Sequence, residues 1–564
     1  MKFQDYQYER INIDELRNEV NSYVDKLKNA TEYNEFLTAF KEVYRVFSHV
    51  DTMATLCEVR YTINTEDEFY SKENDFWDEN SPFVQQLQTD VSKVVLASSY
   101  KEELKKDVPH TYFLLSEFAL KAFDEKIMSD LQEENKLVSD YQKLIAGAKI
   151  DFDGETYTLA SLGSKMEDKD ESVRKGAYKA YWGYMEEHEA DIDSVYDKLV
   201  KLRDSIAKKL GFKNFVELGY LRMNRMDYNE RDVSNYRKQV LEDVVPVATK
   251  LYNAQMKRIG VDKLEVFNNN FEFVSGNPTP KHSKDEMVKI AQNMYHELSA
   301  ETGEFFDFMI EHDLLDLEAK PGKMGGGYCT YMSDYKSPFI FSNFNGTSGD
   351  VDVLTHEAGH AFQVFSSRWI EPGNCMWPTL ESAEIHSMSM EFFAWPWMKN
   401  FFEEDTDKYY YTHLGDAVKF LPYGVLVDHF QHEVYNNVDM TPEERKATWR
   451  RLEKQYLPHK NYDAIPVLEK GTWWFRQQHI FTNPFYYIDY TLAQVCAFQF
   501  WLRLQENDPT AFHDYYEICK AGGTISFGQI VAKANLKSPF QDGCLKDVMK
   551  SIDAYLSSYD DSKF

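Results

Sequence analysis

Apolar residues recur every three or four positions along most of this chain, with charged residues between them. INIDELRNEVNSYVDKLKNA (Ile11–Ala30), EYNEFLTAFKEVYRVFSHV (Glu32–Val50) and SPFVQQLQTDVSKVVLAS (Ser81–Ser98) all carry that spacing, which lines one face of an α-helix with core residues. Residues 1–150 therefore read as an almost unbroken N-terminal helical region. An Asp-Gly pair within IDFDGETYTL (Ile150–Leu159) predicts a small hairpin. Helical period then resumes to about Ile259, with Ser and Asp caps and glycine stops such as the LGF of KKLGFKNFVELGY.

The next break is Pro321 to Asp350. Four glycines fall in Gly322–Gly327, followed by the β-rich runs YCTYM and PFIFSNF and the turn set NGTSGD. This predicts a small sheet feeding a helix that starts near Ser348–Asp350, with Asp350 in its first turn. Helical period returns from Glu381 to the end. No repeat or low-complexity linker appears, so a mainly α body is expected, with residues 151–564 as a second helical region.

Composition narrows the setting. The chain has 564 residues, of which 43% are hydrophobic, ample for a large core. Mean hydropathy is −0.56 and no run of eighteen apolar residues occurs, so no membrane span is expected. The start, MKFQDYQYERINIDEL, lacks a basic segment followed by an apolar one, so no secretory signal is read. Cys57, Cys329, Cys375, Cys496, Cys519 and Cys544 are scattered without close pairs, the pattern of reduced cytoplasmic thiols. A formal charge of −30 repels phosphate backbones, which argues against nucleic acid as a partner.

The chemistry concentrates in DVLTHEAGHAFQ (Asp352–Gln363). On a helix His356 and His360 lie one above the other, so both imidazoles can reach one ion. Glu357 sits a step round the cylinder, placed to take a proton from water. Val353, Leu354, Ala361, Phe362 and Phe365 would bury this helix, where paired histidines need a partner. A third ligand must come from elsewhere, and PTLESAEIHSMSMEFF offers Glu381, Glu384, His386 and Glu391. The three glutamates share roughly one helix face, so helix geometry does not choose among them; His386 points elsewhere, as a structural or surface residue. Asp350 or Asp352 is a candidate acceptor for a ligand histidine, with plain helix capping an equal role for Asp350.

HEAGH, followed after 23 residues by a glutamate in AEIHSMSME, resembles the thimet oligopeptidase and oligoendopeptidase F family of zinc metallopeptidases, most of all its bacterial Pz-peptidase-like branch. The resemblance implies one zinc ion per chain held by His356, His360 and Glu384, with Glu357 as general base. Ser387 and Glu391 fill the later positions of the family's E-x-x-S-x-x-x-E pattern. By composition alone HIFTNPFYYIDYTLAQ (His479–Gln494) reads as an aromatic-rich core helix, with Tyr486 and Tyr490 on one face. The resemblance instead brings His479, Tyr486 and Tyr490 to the substrate carbonyl, as donors to a developing oxyanion. It further implies a two-lobed helical clamshell around a deep channel, admitting short flexible peptides and cleaving their internal bonds.

Other stretches read more plainly. GKMGGGYC (Gly322–Cys329) lacks a phosphate-loop ending, and its glycines would let a peptide add as a strand along YCTYM or PFIFSNF. DHFQHE (Asp428–Glu433) has two histidines three apart with carboxylates nearby but reads equally well as a solvated helix face, and GTWWF (Gly471–Phe475) reads as core packing rather than a ligand cage. Zinc carboxypeptidases and peptidyl-dipeptidases of helical fold share the HExxH pattern and form the alternative reading. A non-catalytic peptide-binding protein is a third, disfavoured by the intact Glu357.

Overall fold

Helices dominate the computed structural model, which describes residues 1–560 and 563–564. The N-terminal region runs through Ile13–Asn29, Tyr33–Ile63, Glu68–Ala97, His110–Ala122 and Met128–Ala146. The first of these buries Leu16, Val20, Val24 and Leu27, one face at helical spacing, and Asn12 caps it by accepting the amides of Asp14 and Glu15. The Asp-Gly signal gives the hairpin of β1 (Ile150–Phe152) and β2 (Glu155–Tyr157). Asp153 and Gly154 both take positive φ there, as the tight turn requires.

A second sheet has three strands: β3 (Leu315–Glu318), β4 (Tyr328–Met332) and β5 (Ser337–Phe344), in the order β3-β5-β4. The two β-rich runs are β4 and β5. The LDLE of β3 carries no β-branched residue and becomes a strand only by pairing parallel to β5. The order corrects one expectation. PFIFSNF is the central strand, paired on both sides at Ile340 and Phe341, whereas β4 has a partner on one side only and offers the longer free edge.

Beyond β5 the chain enters the histidine helix, Gly349–Ser367. It packs on the glutamate helix, Leu380–Phe393, which packs in turn on the tyrosine helix, Tyr487–Gln505; the long helix Thr406–Asn436 lies against the last. Buried residues from Tyr6 to Leu556 join in one hydrophobic cluster. DHFQHE is not a solvated face. Asp428 and His432 are buried, Arg237 donates to Asp428 Oδ2 at 2.7 Å, and Tyr220 Oη lies 3.0 Å from His432 Nε2. The long helix is wrapped by other helices along this stretch, so a polar face there must be paired internally. Trp473, Trp474 and Phe475 are core residues, as expected. Among the described residues no helix is long and apolar enough to cross a membrane.

Candidate metal centre

Asp350 ties the start of the histidine helix to the loop after β5, accepting the amides of Asn345 and Gly346 at 2.8 Å each. It fastens the loop rather than capping the helix, whose N-cap residue Ser348 makes no side-chain cap bond. Val351, Leu354, Ala358, Ala361 and Phe362 bury the helix and fix its rotation. His356 and His360 then stack along one side, ring centroids 5.1 Å apart.

Gly359 decides what meets them. A methyl group there would stand 2.6 Å from both His386 O and Ser387 Cα, so the two helices cross in backbone contact. That approach sets Glu384 Oε2 3.3 Å from His356 Nε2 and 3.4 Å from His360 Nε2. Among the described residues these three form the one cluster whose donor atoms converge closely enough to hold a metal ion, all within 4.8 Å of one another. Two imidazoles and a carboxylate suit a borderline divalent cation. Of the competing glutamates, Glu381 is buried away from this group, in the electrostatic range of Asp489 and Arg225. His386 is fully buried too, a structural residue whose imidazole burial pushes down to about 3.

Hydrogen bonds orient the cluster. Tyr486 Oη donates to Glu384 Oε1 at 2.5 Å and Ser387 Oγ to Oε2 at 2.9 Å. Burial would raise the Glu384 carboxyl, but His360 and His356 beside it hold it well below the usual carboxylate range. His356 Nδ1 meets Glu391 Oε1 at 2.7 Å, and Glu391 Oε2 meets His413 Nε2 at 2.8 Å. Trp395 Nε1 donates to His413 Nδ1 at 3.0 Å, so the His413 proton sits on Nε2. Glu391 thus receives two N–H groups and keeps the proton of His356 on Nδ1, leaving the Nε2 lone pair facing Glu384. Asp352 takes no such part: it accepts Tyr409 Oη at 2.7 Å.

Glu357 is 6% exposed, and among the described residues its Oε2 has no hydrogen-bond partner. Burial raises its carboxyl, opposed by the two histidines. Gly327 of the glycine loop passes close to Val353 and to this carboxylate. The same loop is anchored to the N-terminal region, where Thr65 N donates to Gly322 O and Met324 N to Thr62 O.

His479 faces the group from the other side. Tyr423 Oη donates to Gln477 Oε1 at 2.6 Å, which turns the Gln477 amide nitrogen onto His479 Nδ1 at 2.8 Å. The His479 proton is therefore on Nε2, 3.3 Å from Tyr490 Oη. Burial pushes this imidazole down to about 4, so it is a neutral donor. Tyr486 and Tyr490 stand with ring centroids 4.8 Å apart, as their spacing predicted.

The turn presenting Tyr486 is strained and held. Phe485 has φ +69°, in the left-handed region that bulky residues avoid. Its amide donates to Gln431 Oε1 at 2.9 Å and its carbonyl accepts Arg225 Nη2 at 2.5 Å. Its ring lies where a side chain on Gly219 would be, 2.5 Å from that position. Gln431, Arg225 and His413 carry no local signal in the sequence, because each meets its partner across 22 or more residues, and Gln477 is oriented by Tyr423, 54 residues away.

A profile of the Peptidase M3 N-terminal domain matches residues 3–123, and one of Peptidase family M3 matches residues 164–550. The oligoendopeptidase F homolog of Lactococcus lactis subsp. lactis (strain IL1403) is 21% identical over 393 residues, covering 67% of this chain and 62% of that relative's length. The solved structure of Pz peptidase A with inhibitor 2 is 52% identical, with a TM-score of 0.98 and 100% of both chains covered. Oligoendopeptidase-F from Enterococcus faecium shares the fold, with a TM-score of 0.66 at 16% identity over 97% of this chain and 96% of that one.

Proposed function

This chain belongs to peptidase family M3, and on that premise we propose that it is a zinc-dependent oligoendopeptidase acting on short peptides in the cytoplasm. The observation that carries the reading is the convergence of His356 Nε2, His360 Nε2 and Glu384 Oε2 beside the unpartnered Oε2 of Glu357. Zinc held by those three residues would supply Lewis acidity, polarising a peptide carbonyl and making water acidic enough to react near neutral pH.

The remaining work falls to side chains. Glu357 takes the proton of the attacking water and delivers it to the leaving amine; its raised carboxyl affinity suits both steps. His479 Nε2–H and the Tyr490 hydroxyl donate to the carbonyl oxygen as charge builds on it. Tyr486, bonded to Glu384, holds the ligand carboxylate in place and is a reserve donor beside Tyr490. β4 offers its unpaired edge to the peptide main chain. Six free thiols accord with a reducing compartment.

Mass-spectrometric mapping of products from a mixed peptide pool, with and without chelator, tests the reading. Internal cuts in N-acetylated, C-amidated peptides that vanish with chelator are expected. Release only of C-terminal residues or dipeptides from free C-termini would replace the endopeptidase by an exopeptidase.

A further inference from the structure

Next to the metal-ligand group lies a cavity of about 390 Å³, lined by His356, His479 and Tyr490 and also by polar groups that the chemistry above leaves unused. Gln494 is one. It is only 6% exposed, lines this cavity, and its amide has no hydrogen-bond partner among the described residues. Its polar atoms open on the cavity, where solvent or a ligand can complete their hydrogen bonds.

Two carboxylates share the wall. Asp416 remains 61% accessible at the cavity, and its closest cation, Lys419 Nζ, is 3.4 Å away and engaged mainly with Glu272. Asp352 accepts one hydrogen bond, from Tyr409, and its nearest cationic candidate, His413 Nε2, is 4.0 Å distant. Trp395 fixes His413 as the neutral tautomer, and its N–H is spent on Glu391. Asp416 therefore has only a shared cation, and Asp352 has none closer than 4.0 Å. Phe420 and Tyr487 add aromatic surface to the lining, their ring centroids 5.8 Å apart.

Resting on the peptidase reading, we propose that this cavity is a substrate side-chain pocket selecting a lysine or arginine next to the cleaved bond. The methylene stem would lie along Phe420 and Tyr487, and the cationic head would reach Asp416, Asp352 and the Gln494 carbonyl. A long aliphatic stem with a charged tip matches apolar walls and a polar end, and an acidic side chain is repelled.

The test uses N-acetylated, C-amidated peptides differing only in the residues flanking the cut, with lysine, arginine, norleucine or glutamate at each position. At one position kcat/KM for lysine or arginine should exceed norleucine about tenfold and glutamate about a hundredfold. Asp416→Asn and Gln494→Leu should each shrink the lysine-over-norleucine ratio severalfold, and Asp416→Lys should invert the lysine–glutamate preference. Equal rates for all four at every position, or ratios untouched by the substitutions, overturn the pocket. So does a preference that appears only with free N-terminal amines.

Peptide affinities of the Glu357→Gln protein read the pocket without turnover. If native protein cleaves nothing while that variant still prefers lysine peptides, the hydrolytic reading falls and the pocket stands. If norleucine peptides are cleaved without charge preference, only the pocket falls.

Discussion

The α-carbon of Ser387 lies 2.6 Å from where a methyl group on Gly359 would stand. This contact presses the glutamate helix onto the histidine helix, and the convergence of Glu384 with His356 and His360 follows from it. Gly359→Ala should push the helices apart and withdraw Glu384 from both imidazoles. A stability loss of about 1–3 kcal/mol is expected from overpacking, together with weaker zinc binding. Calorimetry and competitive zinc titration check it; unchanged affinity would show that Glu384 is positioned by something else.

Glu357 has one carboxylate oxygen without a partner and none of the contacts of a ligand. Glu357→Gln should keep a full complement of zinc while turnover drops by about 10²–10⁴-fold, the usual scale of a lost general base. Metal analysis beside steady-state kinetics decides the point. Near-native rates in the zinc-loaded variant would remove the base assignment.

Glu391 accepts from both His356 and His413. Glutamine has one acceptor oxygen, so Glu391→Gln must turn its NH₂ toward one of two N–H groups. Zinc affinity should fall about 10–100-fold, as for other carboxylates that orient ligand histidines. Activity should recover at saturating zinc. Loss that no zinc concentration restores would mean the carboxylate acts on substrate.

His479 is a neutral donor aimed past Tyr490. His479→Ala should lower kcat about 10²-fold or more with a much smaller change in KM, the signature of a contact made in the transition state. A rise in KM alone would make it a positioning residue.

Its titration gives a further test. Burial lowers the folded value to about 4 from 6.5, so between these limits the unfolded chain binds the extra proton. The stabilising contribution of neutral His479 is complete above about pH 6.5 and is lost as pH falls to about 4. Urea unfolding at pH 7 and pH 5 should show wild type losing more stability than His479→Gln. Parallel losses would place His479 in a solvated site.

Local order was legible wherever a pattern repeats within a few residues. The helical period, the Asp-Gly hairpin, the strands β4 and β5 and the i, i+4 pair His356 and His360 all express short-range geometry. So did the failures: LDLE lacks intrinsic strand character, and DHFQHE looks solvated because polar residues at helical spacing do not reveal what packs over them. The choice of Glu384 over Glu381 and Glu391 came from family resemblance, since three carboxylates on one helix face are equivalent until a second helix approaches.

The sequence alone determined the elements and the ligand-bearing turn, because backbone hydrogen bonding and side-chain periodicity are set by neighbours along the chain. Tertiary structure decided which carboxylate meets the histidines, which one orients them, how Gln477 fixes the His479 proton, and why Phe485 tolerates a strained backbone. Those outcomes depend on close packing between helices distant in sequence, where a glycine contact of a few ångströms settles what pattern cannot.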